Sequence, residues 1–251
     1  MTSIREEIQN DEYAARYASR ASKAAKILAI LQDHLGPDLS HLDCLDVGCA
    51  SGAITEHLAP HFALTVGSDI DGETLAAAQS EIHPAAGARA VKYVLADGGK
   101  LPAPDARFDV VICAQVYEHA PAQQALADEI FRVLRPGGVC FFSGPNRLAV
   151  MEEHYWLPFL SWLPQALSDR YMQLFGRGQV YDILPRYPWQ SRRLWGRFTQ
   201  IDYSVRMIRE PERFSTGFAL GRLAWVSHLP EPLLQALVVL IPNYNWILVK
   251  P

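Results

Sequence analysis

Cysteine is scarce in this chain of 251 residues. There are four, with no CxxC pair and no histidine at ligand spacing, so their pattern marks no metal or disulfide framework. Cys44, Cys113 and Cys140 sit in apolar runs and read as buried, reduced thiols of a cytoplasmic protein. Long hydrophobic runs are also missing. The greasiest region, residues 214–242, is interrupted by Arg222, His228, Pro230, Glu231 and Pro232. No window reaches about 18 clean apolar residues, so a membrane-spanning helix is not expected. No apolar segment follows Met1, so no signal peptide is expected either. An excess of positive charge is absent too: the formal net charge of -4 argues against a general nucleic-acid binder.

What is present divides unevenly. Half the residues are apolar and a fifth charged, enough for a packed core. Residues 1–150 carry 12 Lys and Arg against 19 Asp and Glu. Residues 151–251 carry 11 against 8, ten of the eleven being Arg. All six Trp lie in the second part and all four Cys in the first, which at first suggests two domains.

Periodicity sets the expected elements. Residues 11–35 have helical spacing through Ala14, Tyr17, Ala21, Ala24, Ala25, Leu28 and Leu31, stopped by Gly36 and Pro37. Short apolar runs at 44–47, 63–68, 91–96, 108–114 and 139–143 read as strands. Helical stretches at 54–60, 72–82 and 121–134 alternate with them. Continuous apolar strands separated by helices imply a parallel, doubly wound α/β sheet covered on both faces. Residues 147–187 show no strand pattern. Further on, 188–198 and 214–241 look helical, 199–208 alternates like a strand, and 244–249 reads as a last strand.

The first strand runs into the turn LDVGCASG, Leu45 to Gly52, where glycine lets backbone approach a ligand that a Cβ would block. The following helix aims its amides at the same place. Asp69 lies 21 residues beyond Gly48, at the end of the second strand, where a carboxylate can accept both hydroxyls of a ribose. Asp97 and Gly98 end the third strand. A dinucleotide fingerprint would need glycine at Gly48, Ala50 and Ala53, and two of the three fail. Asp46 beside the turn would repel phosphate but suits a cationic ligand.

Together, LDVGCASG, VGSDID, the stretch ADGGKLPAPDARFDVVICAQVYEHAP and EIFRVLRPGG resemble class I S-adenosylmethionine-dependent methyltransferases over about residues 43–145. The resemblance implies a mostly parallel seven-stranded sheet with a helical, aromatic-rich lid, and S-adenosyl-L-methionine as cofactor. By the same resemblance Asp46, Gly48, Cys49, Ala50 and Gly52 would hold its methionine part. Asp69 would take the ribose, Ile70 would lie against the adenine, Asp97 and Gly98 would meet the adenine amino group, and Gln115 would line the site near the sulfonium. The family usually has glycine at the place of Ala50.

Methyl transfer is an in-line displacement that needs alignment and exclusion of water, and a hydroxyl acceptor also needs a base. His119, beside Glu118, and His154 are the candidate catalytic bases; His119 is also readable as a helix-start or packing residue. Relatives that bind a divalent metal use E-x-x-E-H in this loop, but here Gln115 stands in the first place, so no metal is expected. Tyr155, Trp156, Phe159 and Trp162 would line an acceptor pocket or only pack the lid. The arginines from 170 to 213 fit a solvated face, an anionic acceptor, or anionic lipid. The expected domain is single: an N-terminal helix 11–35, a cofactor-binding core 43–145, a lid insertion 146–187, and C-terminal helices and last strands 188–251. Three functions stay open: O-methylation of a small molecule; methylation of a lipid, quinone or glycan precursor with peripheral membrane contact; and a regulatory module that binds the cofactor without catalysis. The acceptor and the oligomeric state are not legible.

Overall fold

A computed structural model describes residues 4–81, 91–216 and 221–251, with side chains described for 19–79, 91–216 and 225–251. The first helix, α1, runs Ile4–Leu35 and ends where Gly36 turns the chain at φ 101°. It starts earlier than expected, and its buried stripe is Ala24, Ile27, Ile30 and Leu31, with Ala25 exposed. The expected contacts of Ala14 and Tyr17 lie outside the described side chains. Next come β1 (Asp43–Val47), α2 (Ala53–Leu58), β2 (Leu64–Asp69), α3 (Gly72–Glu81) and β3 (Val91–Leu95). The expected end of α3 at Ile82 falls outside the described residues. The core continues with β4 (Phe108–Ala114), α4 (Gln123–Val133) and β5 (Leu134–Pro145).

The insertion after β5 is not free of strand. A two-residue ladder joins β6 (Met151–Glu152) to β7 (Leu157–Pro158), and α5 (Gln165–Leu174) follows. Then come α6 (Pro188–Leu194), β8 (Thr199–Asp202) and α7 (Ser204–Arg209). The strand expected over 199–208 therefore stops at Asp202, whose Oδ1 accepts the Ser204 N–H and turns the chain into a helix. Residues 214–241 are only partly helical as described: a 3-10 segment Gly221–His228, a helix Glu231–Leu237 and a 3-10 turn Val238–Leu240. The last strand, β9, is Asn243–Val249.

Seven strands form one sheet in the order β3-β2-β1-β4-β5-β9-β8. The first five are parallel, and β9 is antiparallel to both its neighbours. Side chains alternate across it. Leu45, Val111, Cys113 and Phe142 pack under α4 and α6, while Cys44, Val110, Ile112 and Phe141 pack under α1 and α2. Both faces are thus apolar, which is why the strands read as unbroken apolar runs. The insertion has a small core of its own: Leu157, Leu160, Met172, Tyr181 and Ile183. Asp33 of α1, with its side chain only 3% exposed, pairs with Arg206 and Arg213 and ties the C-terminal part to the sheet's helical cover. Among the described residues no helix is long and apolar enough to cross a membrane.

Candidate functional site

The strand order reverses between β1 and β4, so the chain leaves their C-terminal ends in opposite directions and opens a crevice there. The turn after β1 enters it. Gly48 holds φ 70°, and a Cβ there would lie 2.5 Å from Val116 Cγ2. Gly52 holds φ 73°, and a Cβ there would lie 2.1 Å from the Tyr93 hydroxyl. That hydroxyl donates to Glu56 Oε1 at 2.8 Å. Both glycines are therefore demanded by backbone and packing together.

Ala50 holds a left-handed φ of 47°, and its N–H donates to Asp69 Oδ2 at 2.7 Å. Asp69 Oδ1 accepts the Asp71 N–H at 3.0 Å. Each oxygen keeps a lone pair for a ligand. Asp46 is buried and accepts from Thr55 Oγ1 at 2.6 Å. Burial pushes its carboxyl up to about 7, so its negative charge at neutral pH is partial. Ile70 is 72% exposed at the rim. Asp97 is exposed and accepts the Gly99 N–H at 2.8 Å. Gly98 sits so close to Leu126 that a Cβ would come within 2.9 Å of it. Cys49 is buried, and burial pushes its thiol up, so it is no thiolate.

Gln115 follows β4 directly, with φ 61°, and donates from Nε2 to Asn243 Oδ1 at 3.1 Å. The loop after it carries a buried charge. Glu118 is fully buried, and neither carboxylate oxygen has a hydrogen-bond partner. Burial pushes its carboxyl up to about 7. His154 comes to it from the insertion, with Nε2 at 3.8 Å from Glu118 Oε1. On its other side His154 Nδ1 lies 2.8 Å from Oε1 of Glu152, itself buried. Glu152 Oε2 also accepts the Tyr155 N–H at 2.7 Å. The His119 and His154 rings meet edge to face with centroids 5.6 Å apart. Hydrogen bonding to Glu152 raises the His154 value, while burial and the neighbouring His154 lower that of His119.

The two histidines expected from sequence are thus brought together, along with Glu118. Ligand atoms from Glu118, His119 and His154 lie within 4.8 Å of one another, a spacing that can hold a metal ion. The loop sequence from Gln115 to His119 carries no sign that a histidine 35 residues further on joins it. Glu152 was missed as well; its only sequence signal is the E-x-H spacing to His154.

The aromatic quartet is not gathered into a pocket. Trp156, Phe159 and Trp162 are exposed, with Phe159 and Trp162 edge to face at 5.1 Å. Tyr155 points its hydroxyl at Asp182 Oδ1, 2.5 Å away, and its ring meets Tyr181.

Residues 45–142 match a methyltransferase domain family, described by that name. A ubiquinone biosynthesis O-methyltransferase of Psychrobacter cryohalolentis is 38% identical over 104 residues, covering 41% of this chain and 40% of that protein. The chain spans less than two thirds of the length of the curated relatives it matches. An S-adenosylmethionine-dependent methyltransferase from Mesorhizobium loti superposes with a TM-score of 0.54 at 16% identity, over 85% of this chain and 93% of that one. Phosphoethanolamine N-methyltransferase 2 of Haemonchus contortus, solved with phosphomonomethylethanolamine and S-adenosylhomocysteine, gives 0.54 at 19% identity over 89% and 52%. These structures share the fold.

Proposed function

Because residues 45–142 carry a class I S-adenosylmethionine-dependent methyltransferase domain, we propose that the protein methylates a small-molecule acceptor, at oxygen, in the crevice between β1 and β4. The observation that carries this reading is the Ala50–Asp69 contact. It fixes a partly exposed carboxylate at the end of β2, with lone pairs left for a diol. When bound, S-adenosyl-L-methionine supplies a methyl group already activated by its sulfonium charge. Asp69 would hold the ribose hydroxyls, and Ile70, standing free at the rim, would cover the adenine face. Asp97 and Gly98 would meet the adenine edge. The turn from Asp46 to Gly52, with Cys49 and Ala50, would carry the methionine end, and Gln115 would line the wall beside it.

Acceptor chemistry falls to the pair of histidines. Their environments push their values apart, which is how one site separates acid and base roles. His119, lowered below its ordinary 6.5, is neutral near pH 7 and takes the acceptor's proton. His154, raised by Glu152, carries charge longer and supports the nascent oxyanion. Calorimetry tests the reading: S-adenosyl-L-methionine binds the wild type and not Asp69→Ala. A wild type that binds none refutes it.

A second reading is favoured by surface apolarity. Trp156, Leu174 and Phe175 are 67%, 80% and 56% exposed, with Arg170 and Arg177 nearby in sequence. An acceptor held in an anionic membrane would meet such a face. Flotation with phosphatidylglycerol vesicles at low salt separates the two: protein left at the bottom removes the membrane-surface reading.

A further inference from the structure

A second cavity lies outside the crevice, between the insertion and α4, with a volume of about 320 Å³. That is the size of a small-ligand pocket. Its walls include Arg147, Arg186, Tyr181, Gln123, Gln165 and Gln190, and no acidic residue is among the residues that line it. An isolated parallel bridge between Asn146 and Arg186 lays the two arginine-bearing segments side by side, and Arg147 N–H donates to the Arg186 carbonyl at 3.1 Å.

Two donors in these walls have no acceptor. The Tyr181 hydroxyl and the Arg147 Nε are both buried and make no hydrogen bond, in a residue (Tyr181) only 5% exposed. A buried donor without a partner is costly and rare, so such a pair calls for an acceptor. The Arg147 guanidinium is stacked on the Tyr187 ring at 5.1 Å, which holds its plane in place. Arg186 is steadied by donating Nε to Gln123 Oε1. Among the described residues neither arginine enters an ion pair. The nearby carboxylates are engaged elsewhere: Glu152, the charge acting most on the Tyr181 hydroxyl, with His154 Nδ1 and the Tyr155 N–H, Asp182 with the Tyr155 hydroxyl, and Asp169 with the Tyr181 N–H and Gln165 Nε2.

From the two positive charges, the orphaned donors and the absence of an opposing carboxylate, we infer that this cavity binds an oxyanion, carboxylate or phosphate, carried by a small molecule. Planar guanidinium groups match such anions with paired hydrogen bonds. The cavity adjoins the loop of the histidine pair: Leu184, in its wall, donates its N–H to the Glu118 carbonyl at 3.0 Å, and Gln123 Nε2 donates to the Tyr117 carbonyl at 2.9 Å. An anion seated there is one peptide layer from Glu118. None of Asp46, Asp69 or Asp97 lines it, so the site stands apart from the methyl-transfer reading.

Calorimetric titration of the full chain with phenyl phosphate, benzoate and inorganic phosphate in low-chloride buffer tests this. The wild type binds at least one of them. Arg147→Met and Arg186→Met each weaken it about tenfold, the loss expected for a charge-assisted hydrogen bond, and Tyr181→Phe weakens it several-fold. Phenyl phosphate against benzoate tells the two anion sources apart. S-adenosylhomocysteine affinity stays unchanged in Arg147→Met; a wild type that binds the anion but not S-adenosylhomocysteine sinks the methyl-transfer reading alone. Should the arginine variants not fold, Tyr181→Phe decides, since removing an orphaned hydroxyl leaves the fold intact. A wild type blind to all three anions, or a Tyr181→Phe that binds them equally well, overturns the inference.

Discussion

Glu118→Gln isolates the energetic effect of the buried carboxylate. The side chain is fully buried and neither oxygen has a hydrogen-bond partner. Charges of both signs act on it: His154 and Lys23 favour its ionised form, Glu152 opposes it, and burial outweighs them all. Its value rises from the ordinary 4.5 to about 7. The unfolded chain therefore ionises Glu118 at lower pH than the folded one. Folding carries no penalty below the ordinary value. The penalty grows as pH climbs from there to about 7 and then stays constant. At about 1.4 kcal/mol per pKa unit, the full penalty is about 3 kcal/mol. Gln keeps the volume and cannot ionise. Urea denaturation of the free protein at pH 5 and pH 8 should show wild-type stability falling with pH, and the variant losing about 2.5 kcal/mol less over that interval, because a part of the penalty is already present at pH 5. Equal pH dependence in both proteins would refute the claim that burial of this charge outweighs the groups that favour it.

Further consequences concern the crevice. Gly52→Ala puts a Cβ into the Tyr93 hydroxyl on a left-handed backbone, so it should destabilise by about 2 kcal/mol, and Tyr93→Phe in the same chain should recover part of that loss in thermal melts. The kcat/KM of methyl transfer should rise with pH through a value below 6.5 as His119 loses its proton; His119→Gln should flatten that limb, while His154→Gln lowers turnover with little change in cofactor affinity. With Gln115 in place of a carboxylate, chelation should leave turnover unchanged. A loss restored by added dication, and abolished by Glu118→Gln, would instead make the Glu118–His119–His154 group a working metal centre.

How far the sequence went can be followed residue by residue. The strands β1 to β5 were legible because both sheet faces are apolar, and an unbroken apolar run needs no knowledge of its neighbours. The places of Gly48, Gly52, Asp69 and Asp97 were legible for local reasons: the two glycines hold the left-handed turn between β1 and α2, and the two acids follow the apolar runs of β2 and β3. The run at 199–208 misled because a four-residue strand and a one-and-a-half-turn helix share it, and the Asp202 side chain that divides them acts through a hydrogen bond rather than a period. The insertion was legible in composition alone. Its short ladder, its own core and the exposure of Trp156, Phe159 and Trp162 depend on contacts distant in the chain.

The sequence by itself determined the doubly wound sheet and the order of the acidic strand ends, since both follow from local period and turn chemistry. Only the tertiary structure decided which charges meet. It placed β9 between β5 and β8, so that the basic, Trp-rich part shares a sheet with the acidic part. It brought His154 and Glu152 from the insertion to Glu118 and His119, and set Arg147 beside Arg186 around a cavity without acids. Burial and partner distance fix pKa values and leave donors orphaned, and neither quantity exists until segments far apart in the chain are packed together.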